Sequence, residues 1–148
     1  MTSTTATATG RQARESIVRE HIDAENRHDP DGVVATFSSS RASYDIPALG
    51  QAGQRGDGGS VREMWTDVLR AFADFRIEPG PMFQGDDHIF VEVRMSGRQQ
   101  SEFAGIRSAG RSFATRVGCL YEFEDDELVC ERVYFDFADV RRQLDPTA

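Results

Sequence analysis

Residues 120–144 read LYEFEDDELVCERVYFDFADVRRQL, and this stretch decides the fold. Apolar and polar residues alternate on both sides of Asp125-Asp126, which predicts two antiparallel strands joined by a tight turn. The second strand ends at Tyr134-Phe135-Asp136, and the spacing of the following apolar residues predicts a short helix to Leu144. A carboxylate at the end of a half-buried strand can acquire a raised pKa and take up protons.

The register of this hairpin determines which acid points into the protein. A symmetrical turn about residues 125–126 would direct Asp136 towards the interior. A single bulge would reverse the faces and turn Glu131, Val133 and Phe135 inward instead. Asp136 and Glu131 are therefore alternative candidates for an acid/base residue, since a dry pocket would raise the pKa of either carboxyl.

Both acids also have purely structural interpretations. Asp136 precedes the predicted C-terminal helix and could cap it. Glu131 could pair with Arg116 or Arg132 on the outer face of the sheet. The sequence leaves these alternatives open.

Three helices are predicted upstream of the strands. Residues 12–28 have apolar spacing typical of an amphipathic helix, and Asp29-Pro30 is typical of an N-cap followed by the first residue of a second, short helix. Ser60 and Glu63 have the spacing of a capping box that opens a third helix. The apolar face of the first helix comprises Ile17, Val18, His21, Ile22 and Glu25, and that of the third comprises Val61, Met64, Trp65, Val68, Leu69 and Phe72.

Strands dominate the rest of the chain. Residues 42–47 predict a short strand that stops at a proline, and residues 50–59 (GQAGQRGDGG) predict a mobile surface loop that lacks the lysine of a phosphate-binding loop. From residue 76 onward the apolar period changes to two. Helices packed on one face of a mostly antiparallel sheet define a single α+β domain over residues 12–145. The Thr/Ala-rich residues 1–11 are expected to be a disordered tail.

Composition limits the classes of function. The 148 residues carry a formal net charge of -8, which argues against nucleic acid or an anionic membrane as a partner. No apolar run approaches the roughly 18–20 residues of a membrane span. Cys119 and Cys130 lack metal-type spacing, so we expect no metal and a cytoplasmic protein with reduced thiols.

Three stretches resemble a known fold family: residues 27–37 (RHDPDGVVATF), residues 61–75 and residues 134–144 (YFDFADVRRQL). They are similar to the nuclear transport factor 2-like superfamily, and the ending is closest to its SnoaL-like ester cyclases, matched by Asp136, Gln143 and Leu144. The resemblance implies a cone-shaped α+β barrel, with three helices packed on a curved, mostly antiparallel sheet and a short C-terminal helix. It also implies a homodimer formed through the outer face of the sheet.

The resemblance further implies roles for individual residues. In SnoaL-like polyketide cyclases an aspartate near the end of the last strand acts as general acid/base, and Asp136 is the match. The related epoxide hydrolases need a catalytic aspartate at the position that Val133 occupies in this sequence, which disfavours that chemistry. In ketosteroid isomerases an acid ends the first strand, which Asp45 matches, but His21 replaces their tyrosine on the first helix.

We therefore expect a cofactor-independent enzyme that abstracts a proton next to a carbonyl group, with Asp136 or Glu131 as the base. His21 or Tyr121 would donate a hydrogen bond to the enolate oxygen. The expected ligand is a small apolar or aromatic molecule. The alternatives are a non-catalytic domain that binds a small ligand or a protein, and an isomerase or epoxide hydrolase of a small apolar substrate. The expected substrate-binding residues are Asp45, Trp65, Tyr121 and Phe135.

Overall fold

The computed structural model of the protein describes residues 8–56 and 59–148. Four α-helices and six strands follow one another along the chain, with a short 3-10 turn after the first strand. The helices are α1 (Ala8–Asn26), α2 (Pro30–Ala35), α3 (Gly59–Ala71) and α4 (Phe137–Leu144). The strands are β1 (Ala42–Ile46), β2 (Gln51–Gly56), β3 (Arg76–Gln84), β4 (His88–Arg98), β5 (Ser112–Glu124) and β6 (Glu127–Tyr134).

All six strands form one sheet in the order β2-β1-β6-β5-β4-β3. Strands β1 and β6 are parallel, and every other neighbouring pair of described strands is antiparallel. Helices α1 and α3 contact the strands. The predicted α+β fold with a mostly antiparallel sheet and a short C-terminal helix is confirmed.

Local sequence signals account for the link between α1 and α2. Asp29 is the N-cap of α2, and its Oδ1 accepts a hydrogen bond of 2.9 Å from the Gly32 N–H, while Pro30 opens the helix as predicted. Near the end of α1, the Asn26 side chain accepts from the Ile77 N–H and donates to the Ile77 carbonyl, both at 2.8 Å. These two bonds fasten α1 to the start of β3.

Two predictions near the chain's first helix and its glycine-rich segment were wrong. Helix α1 begins at Ala8, so residues 8–11 are helical rather than part of a disordered tail, while residues 1–7 lie outside the described part. Residues 51–56 form strand β2 and pair with β1, so they are not a loop. Backbone pairing at the sheet edge explains this, since it does not depend on large side chains. Residues 57–58 of the predicted loop lie outside the description.

The predicted capping box of α3 was also wrong. The helix already includes Gly59, so Ser60 lies inside the first turn rather than at the N-cap. Its hydroxyl oxygen is buried and has no hydrogen-bond partner in the described part of the chain.

The β5–β6 hairpin contains the bulge that the sequence left open. Its turn residues, Asp125 and Asp126, both have positive φ (50° and 64°), as a two-residue type I′ turn requires. Beyond the turn, Phe123 pairs with Leu128, but the register then shifts. One extra residue in β6 moves every later side chain of that strand to the other face.

The bulge places Glu131 opposite Tyr121 and Val133 opposite Cys119, on the face that packs against the helices. Phe135 follows in the same alternation and also borders the interior. Asp136 consequently points outward. The symmetrical register, with Asp136 inward, was wrong because it counted one residue too few in β6.

The core lies between the helices and the concave face of the sheet. The outer face carries charged residues, among them the pair Glu92 and Arg116 at 3.3 Å, and the exposed Tyr134. The homodimer expected through this face stays a prediction. None of the described helices combines the length and the apolar character that crossing a membrane would require.

Candidate active site

A cavity of about 440 Å³ opens between the helices and the concave face of the sheet. Most of its wall is apolar and aromatic, with Trp65 and Phe75 from the helical side and Phe135 from the end of β6. Four acids also border it, and two of them, Glu25 and Glu131, are only 2% exposed. The wall of this cavity is therefore mostly apolar, with a few polar groups.

Four polar side chains meet at the inner end of this cavity, and we call them the acid–histidine cluster: His21, Glu25, Tyr44 and Glu131. His21 and Glu25 are four residues apart on α1, so they lie on one helical face. Tyr44 on β1 is the register partner of Glu131 on β6, where the two strands run parallel. Helix periodicity and strand register together assemble the cluster.

The hydrogen bonds of His21 define its protonation. The Thr36 hydroxyl donates to the Val33 carbonyl at 2.7 Å, so its oxygen accepts from His21 Nδ1–H, also at 2.7 Å. His21 Nε2 lies 2.8 Å from the Tyr44 hydroxyl oxygen, 2.9 Å from Glu131 Oε2 and 3.1 Å from Glu25 Oε1. A second ring proton between two carboxylates makes His21 an imidazolium.

The electrostatic balance supports this assignment. Burial alone would lower the pKa of His21, but the charges of Glu25 and Glu131 outweigh it and raise the pKa to about 10. The cluster therefore holds one cation and two carboxylates, with a net charge of −1 when both acids are ionised.

Glu25 is the acid with an unused oxygen. Its Oε1 accepts a hydrogen bond of 3.1 Å from the Tyr44 hydroxyl, which in turn accepts from Trp65 Nε1–H at 3.1 Å. Its Oε2 is buried without a hydrogen-bond partner in the described chain. Burial raises the pKa of Glu25 to about 6, against the opposing effect of His21 and together with the charge of Glu131.

The structure brings several predicted site residues together. His21 and Glu131 are direct partners, and Trp65 and Phe135 border the cavity. Tyr121 packs edge-on against His21, with ring centroids 5.5 Å apart, and is 1% exposed. It supports the cluster from behind rather than lining the cavity.

Asp136 lies outside the site. It is exposed, and its Oδ1 accepts a hydrogen bond of 3.0 Å from the Asp139 N–H as the N-cap of α4. Asp136 therefore caps α4, because the bulge in β6 turns its side chain to the opposite side of the strand from Glu131.

Asp45 also lies outside the cavity. Its carboxylate forms an ion pair with Arg132, which also donates to Glu122 at 2.8 Å on the outer side of the sheet. Residues alternate along β1, so Tyr44 takes the inward position that we expected for Asp45.

Sequence reasoning missed Glu25 and Tyr44 as site residues. The available signal for Glu25 was an acid four residues after His21 on the apolar face of α1, where a charged side chain needs a partner. Tyr44 had no such signal, because a tyrosine in a short strand is ordinary core.

His21, Glu25 and Glu131 offer three potential metal-ligand atoms within 4.8 Å of one another. An imidazolium fits the same arrangement without a metal, because its Nε2–H already lies between the two carboxylates. Cys119 also borders the cavity, but burial raises its thiol pKa well above the usual value, so it stays neutral and is a poor nucleophile.

Comparison with known proteins gives the family context of this site. A family model described as SnoaL-like polyketide cyclase matches residues 15–144. No match was found among curated proteins.

Solved structures share the fold at low identity. TsrD from Streptomyces laurentii is 21% identical, with a TM-score of 0.75 over 90% of this chain and 95% of that one. A putative SnoaL-like polyketide cyclase from Jannaschia sp. CCS1 is 14% identical, with a TM-score of 0.75 over 90% and 92%. AclR, a putative hydroxylase from Streptomyces galilaeus, is 17% identical, with a TM-score of 0.71 over 87% and 92%. At these identities the likeness shows the fold alone.

Proposed function

The chain belongs to the SnoaL-like polyketide cyclase family, and from this premise we propose that it is a cofactor-independent enzyme that abstracts a proton next to a carbonyl group. The observation that carries the proposal is the unpartnered Oε2 of Glu25, buried where Glu25 borders an apolar cavity. A desolvated carboxylate with an unused lone pair is the simplest general base a protein can offer. Glu25 takes the role for which Asp136 and Glu131 were the sequence candidates.

The reaction begins with proton transfer to Glu25. Its Oε2 takes a proton from the carbon next to the substrate carbonyl, and the C–H electron pair moves to the carbonyl oxygen to give an enolate. Glu25 is then a neutral acid and no longer needs the hydrogen bond from Tyr44. The Tyr44 hydroxyl, which borders the cavity, can turn to the enolate oxygen.

Ring closure completes a balanced cycle. The enolate carbon attacks a second carbonyl of the same molecule and forms a carbon–carbon bond. The resulting alkoxide takes back the proton held by Glu25, so the product is an isomer of the substrate. No oxidant, reductant or water is consumed.

His21 and Glu131 set the basicity of Glu25 rather than contacting the substrate. His21 is 0% exposed, and both of its ring nitrogens are engaged, so it is a positioning residue. Its positive charge lowers the pKa of Glu25, whereas burial and Glu131 raise it. A base with a pKa of about 6 is stronger than an ordinary carboxylate and still mostly ionised at pH 7.

The cavity supports a small apolar or aromatic substrate, as the sequence predicts. The acids that border the cavity also favour catalysis over simple ligand binding, because a domain that only binds an apolar molecule needs no buried carboxylate. The epoxide hydrolase alternative is disfavoured because Val133, which cannot accept a proton, borders the cavity where that chemistry needs an aspartate.

Deuterium exchange into model ketones tests the proposal. The protein in D₂O at neutral pH would be incubated with cyclic 1,3-diketones and aryl ketones, and deuterium uptake would be followed by NMR. We expect the wild type to accelerate uptake, and Glu25→Gln to lose about 10²–10⁴-fold of that rate. Asp136→Asn is the matched control and should keep it.

Two outcomes would reject the proposal. One is a wild type that accelerates exchange into none of these ketones. The other is a folded Glu25→Gln protein with the wild-type rate. A rate lost on Asp136→Asn but kept on Glu25→Gln would return the catalytic role to Asp136.

A further inference from the structure

The unpartnered Oε2 of Glu25 indicates the kind of ligand that the cavity favours as well as the reaction. A buried carboxylate oxygen without a partner is costly, and a ligand that donates a hydrogen bond to it removes that cost. An ammonium group does so most strongly, because the bond is then charge-assisted. A ligand carboxylate would instead be repelled.

The charges around the cavity point the same way. Four carboxylates border it, those of Glu25, Asp67, Glu102 and Glu131. Arg70 is the one arginine or lysine among the described lining residues, and it is paired with Asp67 at 3.0 Å. The His21 imidazolium offsets one of the remaining three, so two negative charges are uncompensated.

Glu102 is one of these uncompensated acids. It is exposed on the loop between β4 and β5, next to Phe103, and forms no ion pair within the described part of the chain. An entering ligand therefore meets negative charge at the rim and again at the acid–histidine cluster.

Aromatic rings line the path between them. Trp65 and Phe75 border the cavity with their ring centroids 5.4 Å apart at 74°, and Tyr44 adds a third ring beside Glu25. Ring faces attract organic cations while also burying apolar surface.

We propose that the cavity selects ligands by charge: it binds apolar molecules that carry a protonated amine more tightly than neutral molecules of the same shape, and it rejects carboxylates and phosphates. This inference involves the same Glu25 as the proposed function. It rests on the proposed function in one respect: an ammonium ligand bound to Oε2 would block the catalytic base. Substrates are then molecules without an anionic group, and apolar amines are competitive inhibitors.

Three ligands of nearly equal shape test this selection: 1-adamantanemethylamine, 1-adamantanemethanol and 1-adamantanecarboxylate. Trp65 is the only tryptophan of the protein, so its fluorescence reports occupancy of the cavity. At pH 7.5 we expect the amine to bind at least about tenfold more tightly than the alcohol, and the carboxylate at least about tenfold more weakly.

Variants locate the origin of the selection. Glu25→Gln should reduce the advantage of the amine over the alcohol to less than about threefold. Glu92→Gln removes a carboxylate from the outer face and should leave all three affinities unchanged. If Glu25→Gln does not fold, as judged by circular dichroism, the exposed Glu102→Gln is the second variant and should lower the amine's advantage about twofold.

Each result separates this inference from the proposed function. Equal binding of amine and carboxylate, no binding of the amine, or a folded Glu25→Gln protein that keeps the full advantage would overturn the selection by charge. If the amine binds most tightly and the carboxylate most weakly but the protein catalyses no deuterium exchange, only the catalytic proposal is rejected. If the protein catalyses exchange but the three affinities do not follow this order, only the proposed ligand class is rejected.

Discussion

His21 Nε2 and Glu131 Oε2 lie 2.9 Å apart although 110 residues separate them in the sequence. Helix α1 contains the histidine, and the part of β6 that follows its bulge contains the acid. Glu25 shares the same ring proton at 3.1 Å. His21 and Glu25 therefore influence each other's pKa, and the charge of Glu131 raises both pKa values.

Removing the charge of Glu131 should lower the pKa of His21. Glu131→Gln leaves one carboxylate instead of two beside the imidazolium, while the burial that disfavours the charged ring remains. An NMR titration of the His21 ring protons should show a pKa below the wild-type value of about 10. Glu92→Gln, on the outer face, is the control, and an unchanged His21 pKa in folded Glu131→Gln would contradict the assignment of the ion pair.

Stability should fall as the pH rises above neutrality. The pKa of His21 is 6.5 in an ordinary environment and about 10 in the folded protein, so the folded state binds more protons between these values. The stabilisation is complete below pH 6.5 and is lost as the pH rises through about 10. The free energy of unfolding in urea should decrease from pH 6.5 to 8.5, with a slope approaching about 1.4 kcal/mol per pH unit.

His21 dominates most of this range, because Glu25, with a pKa raised to about 6, contributes a loss of stability in the same direction only near pH 6.5. The thiols of Cys119 and Cys130 and the hydroxyls of Tyr44 and Tyr121 have pKa values raised by burial above their ordinary values of 9.0 and 10.0. They therefore contribute mainly above pH 8.5. A free energy of unfolding that stays constant or increases over this range would show that His21 is not held as an imidazolium.

Most of the fold could be predicted from the sequence because most of its helices and strands have periodic apolar patterns. Asp29-Pro30 formed the predicted cap, and the turn at residues 125–126 formed the predicted hairpin. Strand β2 was missed because glycine-rich residues give no alternating pattern, whereas its pairing with β1 joins backbone groups.

The candidate site was harder to predict because it depends on one inserted residue. A bulge leaves no clear signal in the sequence of β6, yet it decides whether Glu131 or Asp136 points inward. The partnership of Glu25 with His21 was readable in principle from their spacing on an apolar face. That this pair belongs to a larger polar cluster could not be predicted from the spacing, because Tyr44 and Glu131 come from two other elements of the chain.

Thr36 should be needed to hold the His21 ring in place. Thr36→Val removes the oxygen that accepts from Nδ1–H and leaves a buried donor unpaired, which should cost about 1–3 kcal/mol of unfolding free energy. Thr36→Ser keeps the hydroxyl and should restore most of the stability. Denaturation of the two variants side by side measures the difference, and equal stabilities would mean that this hydrogen bond contributes little.

Asp136 should matter for stability and not for catalysis. Asp136→Ala removes the acceptor for the Asp139 N–H at the start of α4 and should cost about 1 kcal/mol. Asp136→Asn keeps an N-cap oxygen and should be close to wild type, because asparagine and aspartate cap helices about equally well. Both variants should exchange deuterium at the wild-type rate, since the side chain is exposed and points away from Glu131. Urea denaturation and the exchange assay on the same samples separate the two roles. If Asp136 is only a cap, Asp136→Ala loses stability and keeps deuterium exchange. A stable Asp136→Asn protein without exchange would instead make Asp136 catalytic despite its position.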